Sequence, residues 1–240
     1  MLAGDMACQW YAGCGSALAM RITHLWRYPV KTMGGEELRR ARLGPLGIEG
    51  DRIVHVVDAR GRIVTSRTHP RFLGHRGTLG ADGEPLVDGR PWSSPDVAAD
   101  VRAIAGPGAA LVRDESPERF DVLPLLVATD GAIAAFGHDY RRLRPNLVIG
   151  GVEGLAERAW PGGTLRVGDV VIGVQKLRSR CVMTSFDPDT LAQDKAITRG
   201  IYERFDGLLA LDCFVIEGGE IAIGDEVAWI KGPARLPSET

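Results

Sequence analysis

The segment KLRSRCVMTSFDPDT, residues 176–190, places one cysteine, Cys181, behind Lys176, Arg178 and Arg180 and ahead of a hydroxyl pair and an acidic turn. A thiolate attacks electrophiles and binds soft metals, and nearby cations favour that form. Side chains alternate in direction along a strand, so Ser179 and Arg180 need not face the same way as the sulfur. On these residues alone, packing, nucleophilic attack and a metal bond all remain open for Cys181. Cys213, in LALDCFVI, reads as a small hydrophobe on a strand.

A second set of chemistry-bearing residues, Lys31, Arg52, Arg67 and Arg144, falls at strand ends and turns. Singly, each is a solvated charge or a surface ion pair. Converging, they would clamp a phosphate or another anion, Arg through its fork and Lys as a point charge. Sequence spacing does not show convergence. His24, His55, His69, His75 and His138 lack metal-ligand spacing, and His69 and His75 near Arg67 read as solvated or packed. The four cysteines show no C-x-x-C pattern, which argues against zinc, an iron–sulfur cluster or a disulfide framework. Phosphate-loop motifs of the nucleotide folds are absent.

These residues need a scaffold, and the pattern is mostly strand. RITHLWRYPVKT reads as a strand that Pro29 stops, opening a loop with Lys31 and Thr32. Ile53–Val57 is a β-branched strand, joined by the hairpin connection DARG to a partner over 62–66, so Arg52 and Arg67 flank the pair. Residues 80–92 suggest a further hairpin. Ser94, Pro95 and Gly106 bracket one short helix. GPGAALVRDESPERFDV suggests a boundary, followed by a buried strand in VLPLLVA and a helix in TDGAIAAFG capped by Thr129 or Asp130. Pro145 biases Arg144 away from helix and opens a strand over 147–149. LRVGDVVIGV and GGEIAIGDEVAWI share an apolar, Gly-Asp, apolar pattern, as where a barrel strand turns into its neighbour. Trp26, Trp160 and Trp229 read as core.

Composition narrows the function. With 45% hydrophobic and 25% charged residues the 240-residue chain is globular, with room for one large domain or two small ones. A net charge of -2 gives no general attraction to nucleic acid or an anionic membrane. No apolar run approaches the roughly 18–20 residues of a membrane helix, and a cytoplasmic location is expected. Residues 1–20 contain a weak cleavage-like Ala17-Leu18-Ala19 but no basic n-region, and are expected to form a disordered tail.

The ordered set YPVKT, GIEGDR, TSR, LRPN, SRCVMTSFDPDT and IAIGDEV, spread from about Ile22 to Ile230, resembles the MOSC (molybdenum cofactor sulfurase C-terminal) family with its N-terminal β-barrel companion, including its amidoxime reductases. The resemblance implies a mainly β (α+β) fold: an N-terminal β-barrel-like domain over 21–115, then a MOSC β-barrel with a few short helices over 116–232. Residues 233–240 are left as a C-terminal tail. It implies a molybdenum-pterin cofactor (Mo-molybdopterin) whose metal takes Cys181 as its protein thiolate, soft sulfur suiting such a centre. Lys31, Thr32, Arg52, Arg67, Arg144 and Asn146 would hold its phosphate and pterin, and Ser179 and Arg180 would add contacts beside the metal.

The implied activity is reduction of small N-hydroxylated or N-oxide substrates. No iron–sulfur, flavin or nicotinamide site is recognisable, so electrons would come from an external iron–sulfur, flavin or haem protein. Two departures stand out. In DVLP, Val122 and Leu123 occupy a stretch where relatives often carry hydroxyl or glycine residues, leaving only a backbone grip, and the segment after DPDT is short. A different class of function uses the same thiol without metal, as a persulfide sulfur carrier or in C–S bond cleavage. In a third, the chain is a non-catalytic binding module in which Cys181 packs.

Overall fold

In the computed structural model, which describes residues 19–232, β1 (Arg21–Arg27) buries Ile22 and Leu25 and leads to β2 (Glu36–Leu38), β3 (Arg40–Gly44) and β4 (Gly47–Ile48). The expected β-branched strand is β5 (Val54–Val57), which turns through residues 58–61 into β6 (Ile63–Val64). Next come β7 (Gly77–Leu79), β8 (Pro85–Val87) and β9 (Arg90–Pro91). These form a three-stranded meander rather than one hairpin, because Asp88 and Gly89, both left-handed, add a second tight turn.

α1 (Pro95–Ala105) is the expected helix, with Ser94 Oγ accepting from the Val97 N–H at 3.4 Å. β10 (Ala110–Arg113) falls inside the stretch that suggested a boundary and pairs antiparallel with β5. Its Gly and Pro flank the strand rather than interrupt it. β11 (Leu125–Thr129) and α2 (Asp130–Phe136) follow, Thr129 Oγ1 capping the helix on the Ala132 N–H at 3.1 Å. After β12 (Leu147–Gly150), the first Gly-Asp turn joins β13 (Thr164–Val167) to β14 (Val170–Ser179) as a hairpin.

α3 (Lys195–Phe205) then runs into β15 (Leu208–Glu217), β16 (Gly219–Ala222) and β17 (Ala228–Ile230). The second Gly-Asp turn does not join neighbours: β16 pairs with β3, whereas β17 pairs with β13. It is a crossover between two sheets.

The main sheet has eight strands in the order β17-β13-β14-β15-β11-β12-β1-β2. It curls back on itself: the Ile22 N–H donates to Asp225 O at 3.0 Å, and the Val227 N–H to Met20 O at 2.8 Å, tying β1 to the segment that enters β17. Its inner face is filled by Ile22, Leu25, Leu125, Val127, Leu147, Ile172, Val174 and Leu211. The fold is mainly β, and β1 and β2 share this sheet with strands that begin at residue 125. A second core gathers Val30, Met33, Val54, Val56, Phe72, Val87, Val97 and Val101 between β5, β8 and α1. The expected tails lie outside the described residues except for Ala19 and Met20, and Met20 packs on the main core.

Candidate functional site

Between the two cores opens a cleft of ≈ 600 Å³. One wall begins where β1 ends. Val30 is buried and bridges to Val54, and the Lys31 N–H donates to Val54 O at 2.7 Å, so the loop is pinned by its backbone while the Lys31 Nζ donates to Arg119 O at 2.7 Å. Thr32 is left-handed at φ 81°, a rare state for a β-branched residue. Its hydroxyl meets Ser66 Oγ at 2.6 Å and Ser66 returns a bond to Thr32 O at 3.0 Å, which ties this loop to the end of β6. Arg52, φ 55°, is held by its N–H on Tyr28 O at 2.8 Å, and Arg67 projects from the turn after β6.

The opposite wall comes from the loop before β12 and the end of β14. Arg144, kept out of helix as the following proline suggested, is left-handed at φ 55°, and its Nη2 donates to Met33 O at 2.7 Å, joining the two walls. Along β14 every residue from Lys176 to Cys181 lines the cleft, which strict alternation would forbid. The ladder to β15 slips between Val174 and Lys176 and again between Leu177 and Ser179, which breaks the strict two-faced pattern, while Leu177 still packs against the main core. Cys181 is half-buried and not in a disulfide. Its backbone is fixed on both sides: the Arg180 N–H donates to Gly207 O at 2.8 Å, Tyr202 Oη to Arg180 O at 3.0 Å, and Thr184 Oγ1 to Cys181 O at 3.0 Å.

All nine residues singled out from sequence, namely Lys31, Thr32, Arg52, Arg67, Arg144, Asn146, Ser179, Arg180 and Cys181, line this one cleft. Two of them, Asn146 and Thr32, have their side-chain polar groups used up within the protein. Asn146 is fully buried, its Oδ1 accepting from the Leu126 N–H at 3.1 Å and from Arg52, its Nδ2 donating to Trp26 O at 3.2 Å and Asp51 at 3.3 Å. With its amide in use, Asn146 positions the loop rather than offering a free heterocycle partner. Thr32 is spent likewise on Ser66. His69 and His75 do not line the cleft, Asp130 accepts from the Gly151 and Val152 N–H groups at 2.8 and 3.0 Å, and Asp187 holds its own turn through the Asp189 and Thr190 N–H groups.

Sequence reasoning missed two carboxylates here. Asp121 accepts from Lys31 and Arg67, each at 2.8 Å. Burial pushes its carboxyl up, but Lys31, Arg67 and Arg178 outweigh that and hold it below the usual range. Asp212 pairs with Arg178 at 3.0 Å while its Oδ2 is buried without a partner. Burial pushes its carboxyl up, with Arg178 offsetting part of the rise. A lone acid inside LALDCFVI was the available signal, since a charge in an apolar strand needs a reason.

The cleft's charge is unbalanced: Lys31, Arg52, Arg67, Arg144, Lys176, Arg178 and Arg180 line it with only Asp121 and Asp212, and a third carboxylate, buried Asp51, pairs with Arg52 from outside the lining. Arg180 is buried with an unpartnered Nε, and burial, reinforced by Arg178, pushes its guanidinium down to about 10. Such a set stabilises a polyanion next to one positioned thiol.

Residues 19–93 match the family model for the MOSC N-terminal beta barrel domain, and residues 129–228 match that for the MOSC domain. Human mitochondrial amidoxime-reducing component 1 is 23% identical, over 70% of this chain and 67% of that protein. Among solved structures, the YUAD protein from Bacillus subtilis aligns with a TM-score of 0.45 and 11% identity over 88% of this chain and 94% of its own. YiiM from Escherichia coli gives 0.42 and 12% over 90% and 72%.

Proposed function

This chain belongs to the family that joins a MOSC N-terminal β-barrel domain to a MOSC domain, and from that premise we propose that it is a molybdenum-cofactor-dependent oxidoreductase acting on N-hydroxylated or N-oxide compounds. The carrying observation is the presence of Cys181 in a cleft to which seven cations and two carboxylates contribute. Among the described residues no group of three or more His, Cys, Asp or Glu could hold a metal ion, so a metal bonded to Cys181 draws its other ligands from a non-protein group. A pterin carrying a phosphate and a dithiolene meets that requirement: the phosphate suits Lys31 and Arg67, and the soft sulfurs suit a third thiolate. The cleft volume lies within the range of cofactor sites.

When bound, the group supplies a two-electron centre for removing oxygen from nitrogen. The protein's own part is to hold it. Lys31, Arg52, Arg67 and Arg144 neutralise its anion, and the backbone bonds on either side of Cys181 keep the sulfur from swinging away. Arg180, whose Nη2 donates to Leu143 O at 2.8 Å, keeps positive charge beside the thiolate. Reduction of R–NH–OH to R–NH2 and water consumes two electrons and two protons, and the electrons come from a separate electron-transfer protein.

The test is elemental analysis with an absorption spectrum, on protein made in a host that synthesises the cofactor. Molybdenum is expected in the purified chain and at least about tenfold less of it in Cys181→Ala, with an unchanged circular dichroism spectrum. A metal-free protein carrying a persulfide on Cys181 would instead establish the sulfur-handling function.

A further inference from the structure

Arg144 and Met183 line the main cleft on one side and, on the other, a second cleft of ≈ 400 Å³ that the function above does not use. Its aromatic wall is Trp26, Tyr28 and Phe186. The Trp26 and Tyr28 rings lie 6.3 Å apart at 19°. Trp26 Nε1 already donates to Tyr140 Oη at 3.2 Å, so what Trp26 offers is flat ring surface, while the buried Tyr28 ring, its Oη on Pro145 O at 3.2 Å, backs it.

The same cleft is lined by Arg142 and Arg144, whose donors are only partly used. The Arg142 side chain is 10% exposed and spends Nη2 on Asp187 at 2.7 Å, yet its Nε and Nη1 are buried without partners. Unpaired buried donors on a charged group are costly, which favours a ligand or a water there. Arg144 stacks on Tyr28, its guanidinium carbon 4.3 Å from the ring centroid. The acids nearby are engaged: Asp187 caps its own turn and holds Arg142, and Asp189 takes two bonds from Arg141, at 2.9 and 2.6 Å. A flat apolar wall facing guanidinium groups is complementary to a planar ring bearing a carboxylate.

We propose that the second cleft binds an aromatic carboxylate, its ring against Trp26 and its anion toward Arg142 and Arg144. On the function given above, which this assignment to substrate rests on, the cleft holds the body of the substrate while the N–O group reaches past Met183 toward Cys181. The binding itself is independent of that function.

The test titrates the full chain, purified from a host unable to make the cofactor, with benzoate and with benzamide, by calorimetry. Benzoate is expected to bind saturably and benzamide about tenfold more weakly or worse, the carboxylate being the difference. Arg142→Gln is expected to weaken benzoate by about tenfold. Trp26→Leu, which keeps every cation, is expected to weaken both probes and supplies the answer if Arg142→Gln does not fold. Absence of saturable benzoate binding, equal affinity for the two probes, or unchanged affinity in the folded variants overturns the proposal. The two ideas fail separately: molybdenum uptake without benzoate binding removes the second cleft alone, whereas benzoate binding in a chain that never takes up molybdenum removes only the catalytic function and the substrate assignment.

Discussion

Thr32, Arg52 and Arg144 share an uncommon backbone state, left-handed at φ 81°, 55° and 55°, and all three line the main cleft. Such conformations cost about 1–3 kcal/mol each and persist where surrounding bonds over-determine them. Here the Thr32–Ser66 hydroxyl pair, the Arg52 N–H on Tyr28 O and the Arg144 N–H on Arg141 O do so. Asp121 plays a different part, as an internal counter-ion occupying the two cations best placed for a phosphate. Its folded pKa is depressed, so its carboxylate stabilises the folded chain above the unfolded carboxylate value, and that contribution is lost as pH falls through the folded one. Asp121→Asn is therefore expected to lower Tm at neutral pH, with the two melting curves converging below the ordinary carboxylate range. The same variant frees Lys31 and Arg67, so added inorganic phosphate is expected to raise its Tm more than that of the parent. Curves that stay parallel into acid, or equal phosphate shifts, would dismiss this role.

At the scale of elements, α3 matters more than its sequence suggested. Ile197, Ile201 and Phe205 recur every four residues and pack against Ala132 and Phe136 of α2 and against Leu143, with Asp194 as N-cap on the Ala196 N–H at 2.9 Å. Those signals were present in AQDKAITRGIYERF, although Gly200 interrupts the run. From this helix Tyr202 reaches the backbone beside Cys181. Ile201→Ala is expected to cost about 2–5 kcal/mol in urea unfolding, as a buried large-to-small change does. Tyr202→Phe should cost only about 0.5–1.5 kcal/mol, yet lower molybdenum retention, because it releases the carbonyl next to the thiolate. A variant that loses stability but keeps its metal would show that α3 supports the core and not the site.

The whole molecule carries a net charge of -2 while its main cleft is strongly cationic, so the charge relevant to function is local. The same interleaving governs assembly. β1 supplies Ile22 and Leu25 to the main core and pairs with β12, although it lies more than a hundred residues away in sequence. A fragment comprising residues 116–232 alone would leave β12 an open edge and the core short of two large side chains. It is expected to lack a cooperative urea transition and to aggregate in size-exclusion chromatography, whereas the full chain gives a sharp transition. A soluble fragment with a sharp transition would contradict this.

The sequence by itself determined what is local: strand periodicity in β5, β11 and β12, the Ser94 and Thr129 caps, the hairpin at Gly168-Asp169, and an ordered set of motifs that marked Cys181 and its cationic companions. It did not show that the second Gly-Asp turn crosses between sheets or that Asp121 and Asp212 enter the cleft. Those depend on contacts between distant segments. Alternation in Lys176–Cys181 suggested two faces, and the slipped pairing with β15 lets all six residues border the cleft. Arg144 leaves the helix as Pro145 requires, but its left-handed state and its bond to Met33, 111 residues away, came only from the fold. Local propensity differs by fractions of a kcal/mol between such states, and the packing of two separate cores decides among them.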